Sequence, residues 1–359
     1  MEARKLEIAS LKRYEEKLPF HSDSILRLFP LEDSDGSLMI SACSDETLAF
    51  WDMEKREVVK TLEFKRPNQE QLEEFKGRVK ELERYIYDTD QEARSEEDLL
   101  RIEMNKLVSV YELIEGKLIT GYYDGLICAW DLSSAQIISP LTGHERKVNQ
   151  VLHHQEKLFS ISNDQSIRVW NKQSLKCFEV LRLDYPVLCG QIEPESNSLF
   201  IGCFDHVVRQ LDLDSYKVLR KFKVLQSPVR CLLATPDFLY VSGYENNIRR
   251  INLETEEKAE FFGHSSKPYS LALYDEFLFS TGDDHSIIVW DQRRDQVADQ
   301  LQGHTNCVTS IAFVNGKMFS GGFDHDLFSW NLEEILECIE EGRQMRENHV
   351  ESVKIENYQ

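Results

Sequence analysis

The segment that decides the fold is Phe279 to Asp291, FSTGDDHSIIVWD. Forty residues later the chain repeats it as FSGGFDHDLFSWN, from Phe319 to Asn331. Each copy has small residues, an acidic residue, and then alternating apolar positions that end in Trp-Asp or Trp-Asn. Alternation with a period of two residues predicts a β-strand, and the acidic stretch between two such runs predicts a tight turn. The segment is therefore predicted to be a β-hairpin that recurs every 40 residues.

The same unit occurs seven times along the chain. Its acidic turn residues are Asp45, Asp124, Asp164, Asp205, Glu245, Asp284 and Asp324. The sixth residue after each is Trp51, Trp130, Trp170, Leu211, Ile251, Trp290 or Trp330, and these positions hold all 5 tryptophans of the chain. The spacing is 39 to 41 residues, except for 79 between the first two units. A period of this length indicates a repeat architecture, so we expect seven units and one insertion.

These units resemble WD repeats, the blades of a β-propeller. The family's Gly-His pair, which precedes a blade, stands here as Gly143-His144, Gly263-His264 and Gly303-His304, with Phe20-His21 as a variant. The resemblance covers almost the whole chain apart from the insertion and the two ends. It implies an all-β fold, a seven-bladed β-propeller, because a four-stranded blade cannot bury both faces alone and must stack around an axis.

The resemblance also implies a hydrogen-bonded tetrad of His, Ser or Thr, Asp and Trp within a blade. Four blades carry the complete set: His21, Ser41, Asp45, Trp51; His144, Ser160, Asp164, Trp170; His264, Ser280, Asp284, Trp290; and His304, Ser320, Asp324, Trp330. The second blade has no histidine, and blades four and five replace most of the set by apolar residues. Ser, His and Asp together could be catalytic, but recurrence in four blades favours a structural network of satisfied polar groups. We therefore predict no enzyme activity.

Composition narrows the functional class. The net charge of −21 over 359 residues disfavours non-specific binding to nucleic acid or anionic membrane, since both require a basic surface. The 8 cysteines show no CxxC pair, so no metal is predicted, and free cysteines in strands favour a reducing compartment. The first residues lack the apolar core of a signal peptide, and no apolar run has transmembrane length. We expect a cytoplasmic protein, or one of a nuclear, cytoskeletal or ciliary assembly, without cofactor or small-molecule substrate.

Residues 13–20 are predicted to close the ring. Blade one already has Val58 to Phe64 as its outer strand, and in the family a strand at this place completes the last blade and removes its open edge. Leu332, Ile335, Leu336 and Ile339 follow helical spacing, which predicts a C-terminal helix. The expected division is a tail in 1–12, the propeller in 13–331, and a helix with an acidic tail in 332–359. The alternative, an outer strand at 335–341, would leave residues 13–20 unpaired.

The insertion, residues 66–105, is predicted to be a helical hairpin between blades one and two. Asn68 and Gln71 form an N-cap pair. The apolar residues that follow are spaced by three and four, as in a short coiled coil: Leu72, Phe75, Val79, Leu82 and Ile86. This stripe packs on the second helix or on the disc, or it docks a helix of another protein. Two heptads are too few for an independent coiled coil.

The turns before the acidic residues are predicted to lie on the top face of the propeller, beside the insertion. Aromatic residues are frequent there: Tyr122, Tyr123, Phe204, Tyr244 and Phe323. Aromatic rings on exposed turns are typical of protein-binding hot spots. The alternative is that some of the rings fold inward and plug the channel. The functional prediction is a surface for a peptide or helix of another protein.

Three functional hypotheses remain. The first, favoured because the insertion and tails are long and charged, is a non-enzymatic interaction scaffold, a subunit of an intracellular multiprotein assembly. The second rests on the WDQR sequence ending at Arg293, which resembles the Trp-Asp-x-Arg box of cullin-4 ubiquitin-ligase substrate receptors and implies that Arg293 contacts the ligase adaptor. The third is a propeller enzyme or a metal-dependent binder that uses His206, His285 and His325, although their spacing is not that of zinc ligands.

Overall fold

The computed structural model describes residues 14–31, 38–74 and 107–342, and the structural statements below refer to them. These residues form seven four-stranded antiparallel sheets, the blades of a propeller. The first strands of neighbouring blades contact one another, which places them around the central axis. None of the described helices is long and apolar enough to cross a membrane.

Six blades consist of four consecutive strands, and a separate strand, β1 (Tyr14–Pro19), precedes them. Blade one contains β2 (Ile25–Pro30), β3 (Leu38–Cys43), β4 (Thr47–Asp52) and β5 (Glu57–Glu63). Blade two contains β6 (Val108–Ile114), β7 (Lys117–Tyr122), β8 (Ile127–Asp131) and β9 (Ile137–Leu141). Blade three contains β10 (Val148–His154), β11 (Lys157–Ser162), β12 (Ser166–Asn171) and β13 (Cys177–Arg182).

The second half of the ring follows the same plan. Blade four contains β14 (Val187–Glu193), β15 (Ser198–Cys203), β16 (Val207–Asp212) and β17 (Val218–Lys223). Blade five contains β18 (Val229–Ala234), β19 (Phe238–Gly243), β20 (Asn247–Asn252) and β21 (Lys258–Phe262). Blade six contains β22 (Pro268–Tyr274), β23 (Phe277–Gly282), β24 (Ser286–Asp291) and β25 (Gln296–Gln302). Blade seven contains β26 (Val308–Val314), β27 (Lys317–Gly322) and β28 (Asp326–Asn331).

The fourth strand of blade seven comes from the other end of the chain. Strand β1 pairs antiparallel with β28, with Tyr14 opposite Trp330 and Pro19 opposite Asp326. A C-terminal helix, α2, spans 332–342 and buries Leu332, Ile335 and Ile339 in the core between blades six and seven. Residues 335–341 are thus helical, and the strand alternative for them is wrong. Because β1 pairs with one side of β28 and β27 with the other, β28 is not an edge strand.

The core is divided among the seven contacts between neighbouring blades. A separate apolar cluster fills each of these contacts. Leu18 of β1 and Met39 of β3 belong to one cluster, which joins blade seven to blade one. Each blade therefore packs on the next through apolar side chains, and the ring closes on itself.

The insertion begins with one short helix, α1, at Gln69–Glu73. Asn68 caps it, and its side chain accepts from the Gln71 amide, while the Gln71 side chain accepts from the Asn68 amide. Leu72 is only 2% exposed and packs in the core between blades one and two. The prediction of Leu72 as a partner contact is therefore wrong, because its side chain faces the disc. Phe75, Val79, Leu82 and Ile86, and the predicted hairpin with them, lie outside the described residues.

Candidate partner-binding face

The face that we call the top face carries the turn between the second and third strands of each blade. Because the four strands alternate in direction, the segment that leads into the first strand of a blade lies at the same end as this turn. Backbone hydrogen bonds join the two: the Asn163 amide donates to the Lys147 carbonyl at 3.0 Å, and the Phe323 amide donates to the Cys307 carbonyl at 2.8 Å. The top face is therefore a continuous rim of turns around the channel.

Three blades contain a complete hydrogen-bonded tetrad below these turns. In blade three, His144 Nδ1 lies 2.7 Å from the Asp164 carboxylate and His144 Nε2 lies 2.7 Å from the Ser160 hydroxyl. The Trp170 indole donates to that hydroxyl at 2.9 Å. The same contacts occur in blades six and seven, among His264, Ser280, Asp284 and Trp290, and among His304, Ser320, Asp324 and Trp330.

The electrostatics of the tetrad indicate its proton positions. Burial lowers the pKa of His144, so the imidazole is neutral near pH 7. Burial raises the pKa of Asp164, but the hydrogen bonds with His144, Ser166 and the Glu145 amide together outweigh it, and the carboxyl pKa lies well below its ordinary value. A neutral ring protonated at Nδ1 donates to the carboxylate and accepts from Ser160, which itself accepts from the indole. The serine oxygen is thus held by two partners, as expected for a structural network.

In blade one the tetrad is incomplete. His21 Nε2 lies 2.6 Å from Ser41 Oγ, and the Trp51 indole donates to the same oxygen at 2.8 Å. Asp45 does not bond to His21 in the described contacts and instead accepts a hydrogen bond from the Thr47 hydroxyl. The serine therefore joins histidine and tryptophan here, while the carboxylate stabilises its own turn.

Two groups of side chains bear on the metal hypothesis. The ligand atoms of His21, Cys43 and Asp45 lie within 4.8 Å of one another. Burial raises the pKa of Cys43 to about 12, so without a metal this thiol is protonated and would have to release its proton to bind one. The histidines that follow turn carboxylates all have positive φ, with 70° at His206, 65° at His285 and 67° at His325. That backbone conformation is what the turn requires, and it accounts for these positions without a metal.

In the three blades without a tetrad histidine, an arginine pairs with the turn carboxylate. The pairs are Arg66 with Asp124 (2.6 Å), Arg209 with Asp205 (2.9 and 2.5 Å) and Arg249 with Glu245 (3.4 Å). The sequence analysis missed these arginines. Arg209 and Arg249 share one register, four residues after the carboxylate, which is the signal that could have revealed them. Arg66 carries no such signal, because it reaches across from the start of the insertion.

Tyr122 is fully buried, so its prediction as a partner contact is wrong. It ends strand β7, and its ring packs in the core between blades one and two. Its hydroxyl lies 3.4 Å from the Thr120 hydroxyl, and the Arg66 guanidinium lies 5.1 Å from its ring centre. Since Thr120 accepts from the Trp130 indole at 2.8 Å, Tyr122 occupies the place that histidine takes in a complete tetrad.

The other four predicted rings lie on the top face. Phe204 is 53% exposed and Tyr244 is 48% exposed. Tyr123 is half-buried and lies under the Lys147 ammonium, at 4.3 Å from ring centre to Nζ. Phe323 is half-buried against the Tyr269 ring, with 5.8 Å between ring centres. Two of the rings are thus available for contact and two are partly covered by neighbouring side chains.

The channel mouth lies among these rings. Its lining includes Lys147, Asn149, Arg230, Tyr244 and Tyr269, around a cavity of about 300 Å³. The innermost strand of every blade has a bulge near this level. Bulges redirect a side chain out of the regular alternation. Three bulged residues donate to the inner strand of the next blade: Ser109 to Val148 (2.7 Å), Asn149 to Val187 (2.7 Å) and Thr309 to Ile25 (2.5 Å).

Arg293 lies on the opposite face, in the connection between β24 and β25. Its side chain is 75% exposed and forms an ion pair with Glu276. Its amide donates to the Asp291 carboxylate at 3.0 Å. The predicted adaptor contact is therefore separated from the top face by the height of a blade.

Comparison with known proteins places these features in a family. The family model described as WD domain, G-beta repeat matches residues 135–171, 255–291 and 296–331. Pre-mRNA-processing factor 19 of Bos taurus is 30% identical over 44% of this chain and 32% of its own length. A putative E3 ubiquitin-protein ligase LIN of Medicago truncatula is 27% identical over 51% of this chain and 13% of its own length. Guanine nucleotide-binding protein subunit beta-like protein 1 of Mus musculus is 28% identical over 35% of this chain and 40% of its own length. The chain therefore spans less than half of the length of each relative.

Proposed function

Because this chain belongs to the WD-repeat proteins and folds as their seven-bladed propeller, we propose that it is a non-enzymatic scaffold, a subunit of an intracellular multiprotein assembly. The observation that carries this proposal is the top face, where Tyr244 lines a cavity together with the cations Lys147 and Arg230, and where Phe204 presents a second exposed ring. Exposed aromatic rings beside charged groups are the composition of protein-binding hot spots. The tetrads, in contrast, hold their serines and histidines in structural hydrogen bonds.

The proposed partners are other proteins, which offer a peptide or helix to the top face, and a helical partner for residues 75–86 of the insertion. The location that fits free buried cysteines such as Cys128 and Cys203 is a reducing compartment, the cytoplasm or nucleus. Nucleic acid and membrane are not proposed as partners, because the net charge of −21 opposes both.

The experiment is co-purification of the tagged chain from cells, followed by mass spectrometry. Phe204→Ala combined with Tyr244→Ala should remove a defined set of partners, with a loss of about 2 kcal/mol or more of binding free energy if the rings are hot spots. Phe178→Ala is the matched control, because this ring is 54% exposed but lies on outer strand β13. A partner set that survives the double substitution and is lost with Phe178→Ala would move the binding site to the outer strands of the disc.

A second candidate is a substrate receptor of a cullin-4 type ubiquitin ligase. The observation that favours it is the exposure of Arg293 on the face opposite the top face, where an adaptor could bind while the top face holds a substrate. Arg293→Ala should then abolish association with the ligase adaptor and leave the top-face partners bound. Arg182→Ala, at an exposed arginine of β13, is the control. Adaptor association unchanged by Arg293→Ala would exclude this function.

A further inference from the structure

One cation of the channel mouth has no polar partner in the described part of the chain. Arg230 is the bulged residue of β18, at the level where other blades place a hydroxyl or amide that bonds to the next blade. Its guanidinium carbon lies 3.7 Å from the ring centre of Tyr269 and 5.7 Å from that of Tyr244. Its Nε is buried without a hydrogen-bond acceptor. A buried donor without an acceptor is costly, and because Arg230 lines the cavity, the rest of its guanidinium is placed to bind a ligand there.

The surroundings of Arg230 favour an anionic ligand. Two more cations stack on top-face rings, with Lys147 Nζ at 4.3 Å from the Tyr123 ring centre and Lys267 Nζ at 5.3 Å from that of Tyr244. Burial raises the pKa of Tyr269 to about 12, so this ring faces Arg230 as a neutral π-system rather than as a counter-ion.

The carboxylates near the channel mouth are already engaged. Asp283 accepts a hydrogen bond from the Ser266 hydroxyl at 3.3 Å. Glu245 accepts from the Gln226 amide at 2.6 Å and lies 3.4 Å from Arg249. No described carboxylate lies within 4.0 Å of Arg230, the ion-pair limit. Although the whole chain is strongly acidic, Arg230 therefore has no ion-pair partner among the described residues.

We propose that the channel mouth receives an acidic side chain from an extended peptide of a partner protein, with Arg230 as the group that binds its oxyanion. The planar guanidinium suits carboxylate or phosphate oxygens, so the side chain is Asp, Glu or a phosphorylated hydroxyl residue. A cavity of about 300 Å³ accommodates one side chain, while the exposed rings of Phe204 and Tyr244 lie where flanking residues of the peptide would pass. The inference rests on the proposed function, because the peptide belongs to a top-face partner.

The distribution of charge on this chain favours a peptide over a nucleic acid as the ligand of the channel mouth. A nucleic-acid strand repeats its phosphates along the whole contact and requires an extended basic track. Here the cations are gathered at one opening of a chain whose net charge is −21. A single acidic side chain is attracted by the cations at the channel mouth. A short peptide avoids most of the repulsion from the acidic remainder of the chain, because salt screens charges beyond about 8 Å.

The test begins with selection of peptides from a random display library on the purified full-length chain. Wild-type protein and the variant Arg182→Gln, which changes an exposed arginine of outer strand β13, should both select peptides with Asp or Glu enriched at one position. Arg230→Gln should lose that enrichment. All three proteins should unfold cooperatively in thermal melts, and the midpoint of Arg230→Gln should fall by a few degrees at most, because this substitution removes only the stacking of the guanidinium on Tyr269 and Tyr244.

A selected peptide is then synthesised with Glu, phosphoserine or Gln at the enriched position, and its affinity is measured by fluorescence anisotropy. Glu or phosphoserine should bind wild-type protein at least tenfold more tightly than Gln, which corresponds to about 1.4 kcal/mol. The preference should fall below twofold with Arg230→Gln and be partly kept with Arg230→Lys. The ratio of the two acidic peptides identifies the source of the oxyanion.

Several results would overturn the inference: no peptide selected, selected peptides without an acidic residue, an acid preference that persists in Arg230→Gln, or tighter binding of a single-stranded oligonucleotide through Arg230. These failures are separate from failure of the proposed function. If Phe204→Ala with Tyr244→Ala removes the cellular partners while Arg230→Gln keeps them, the scaffold function stands and the acidic-peptide site does not.

Discussion

The hydrogen bond between Trp170 and Ser160 is the contact through which a tetrad holds its blade, and its contribution is measurable. Trp170→Phe keeps an aromatic ring at a site that is 2% exposed but removes the indole donor, 2.9 Å from Ser160 Oγ. A net hydrogen bond contributes about 0.5–1.5 kcal/mol, and the smaller ring leaves a cavity. We expect Trp170→Phe to lower the free energy of unfolding by about 2–3 kcal/mol, and Trp170→Ala by about 3–5 kcal/mol.

A double-mutant cycle separates the hydrogen bond from the cavity. Equilibrium urea denaturation of Trp170→Phe, Ser160→Ala and the double variant should give a coupling free energy of about 1 kcal/mol. The control cycle combines Trp170→Phe with Ser320→Ala, the equivalent serine of blade seven, where no contact exists and the effects should add. Coupling between Trp170 and Ser160 that is no larger than in the control would refute the structural role of the tetrad.

Three further predictions concern closure, pH and the insertion. Deleting residues 1–20 removes β1 and should cause aggregation in size-exclusion chromatography because β28 becomes an edge, whereas deleting residues 343–359 should not. Burial lowers the pKa of His144 and the hydrogen bond with His144 lowers that of Asp164. The unfolded state therefore binds more protons, so the melting temperature should be constant above about pH 6.5 and fall towards pH 4; a flat profile would contradict this. Replacing residues 75–103 with a Gly/Ser linker of equal length should preserve cooperative unfolding, since it changes loop closure little, and should remove at least one co-purifying protein; an unchanged protein list would mean that the insertion binds no partner.

The fold was accessible from the sequence because a period of 40 residues repeats one hairpin seven times. A pattern so regular predicts the direction of each strand and the face that it buries. The helical spacing of the apolar residues after Asn331 likewise predicted α2. The tetrads followed from the resemblance to WD repeats, as in His264 and Ser280, whose register is shared with blades three and seven.

The contacts that the sequence did not reveal depend on single side chains that do not follow the repeat pattern. Tyr122 and Tyr123 are adjacent, and period-two alternation places only one of them inside; which one depends on the space that the missing histidine leaves beside Thr120. Arg66 reaches Asp124 from the insertion, so no register marks it. Arg230 is directed into the channel by a bulge, a local irregularity that cannot be seen in the apolar pattern.

The most direct test of the proposed function is cross-linking mass spectrometry on the native assembly, with a lysine-reactive reagent. The top face holds Lys147 and Lys267, while the outer strands carry exposed lysines such as Lys60 and Lys221. If partners bind the top face, their cross-links should concentrate at Lys147 and Lys267, and Phe204→Ala with Tyr244→Ala should remove them. Partner cross-links confined to Lys60 and Lys221, unchanged in that variant, would contradict the proposal that the top face holds the partner.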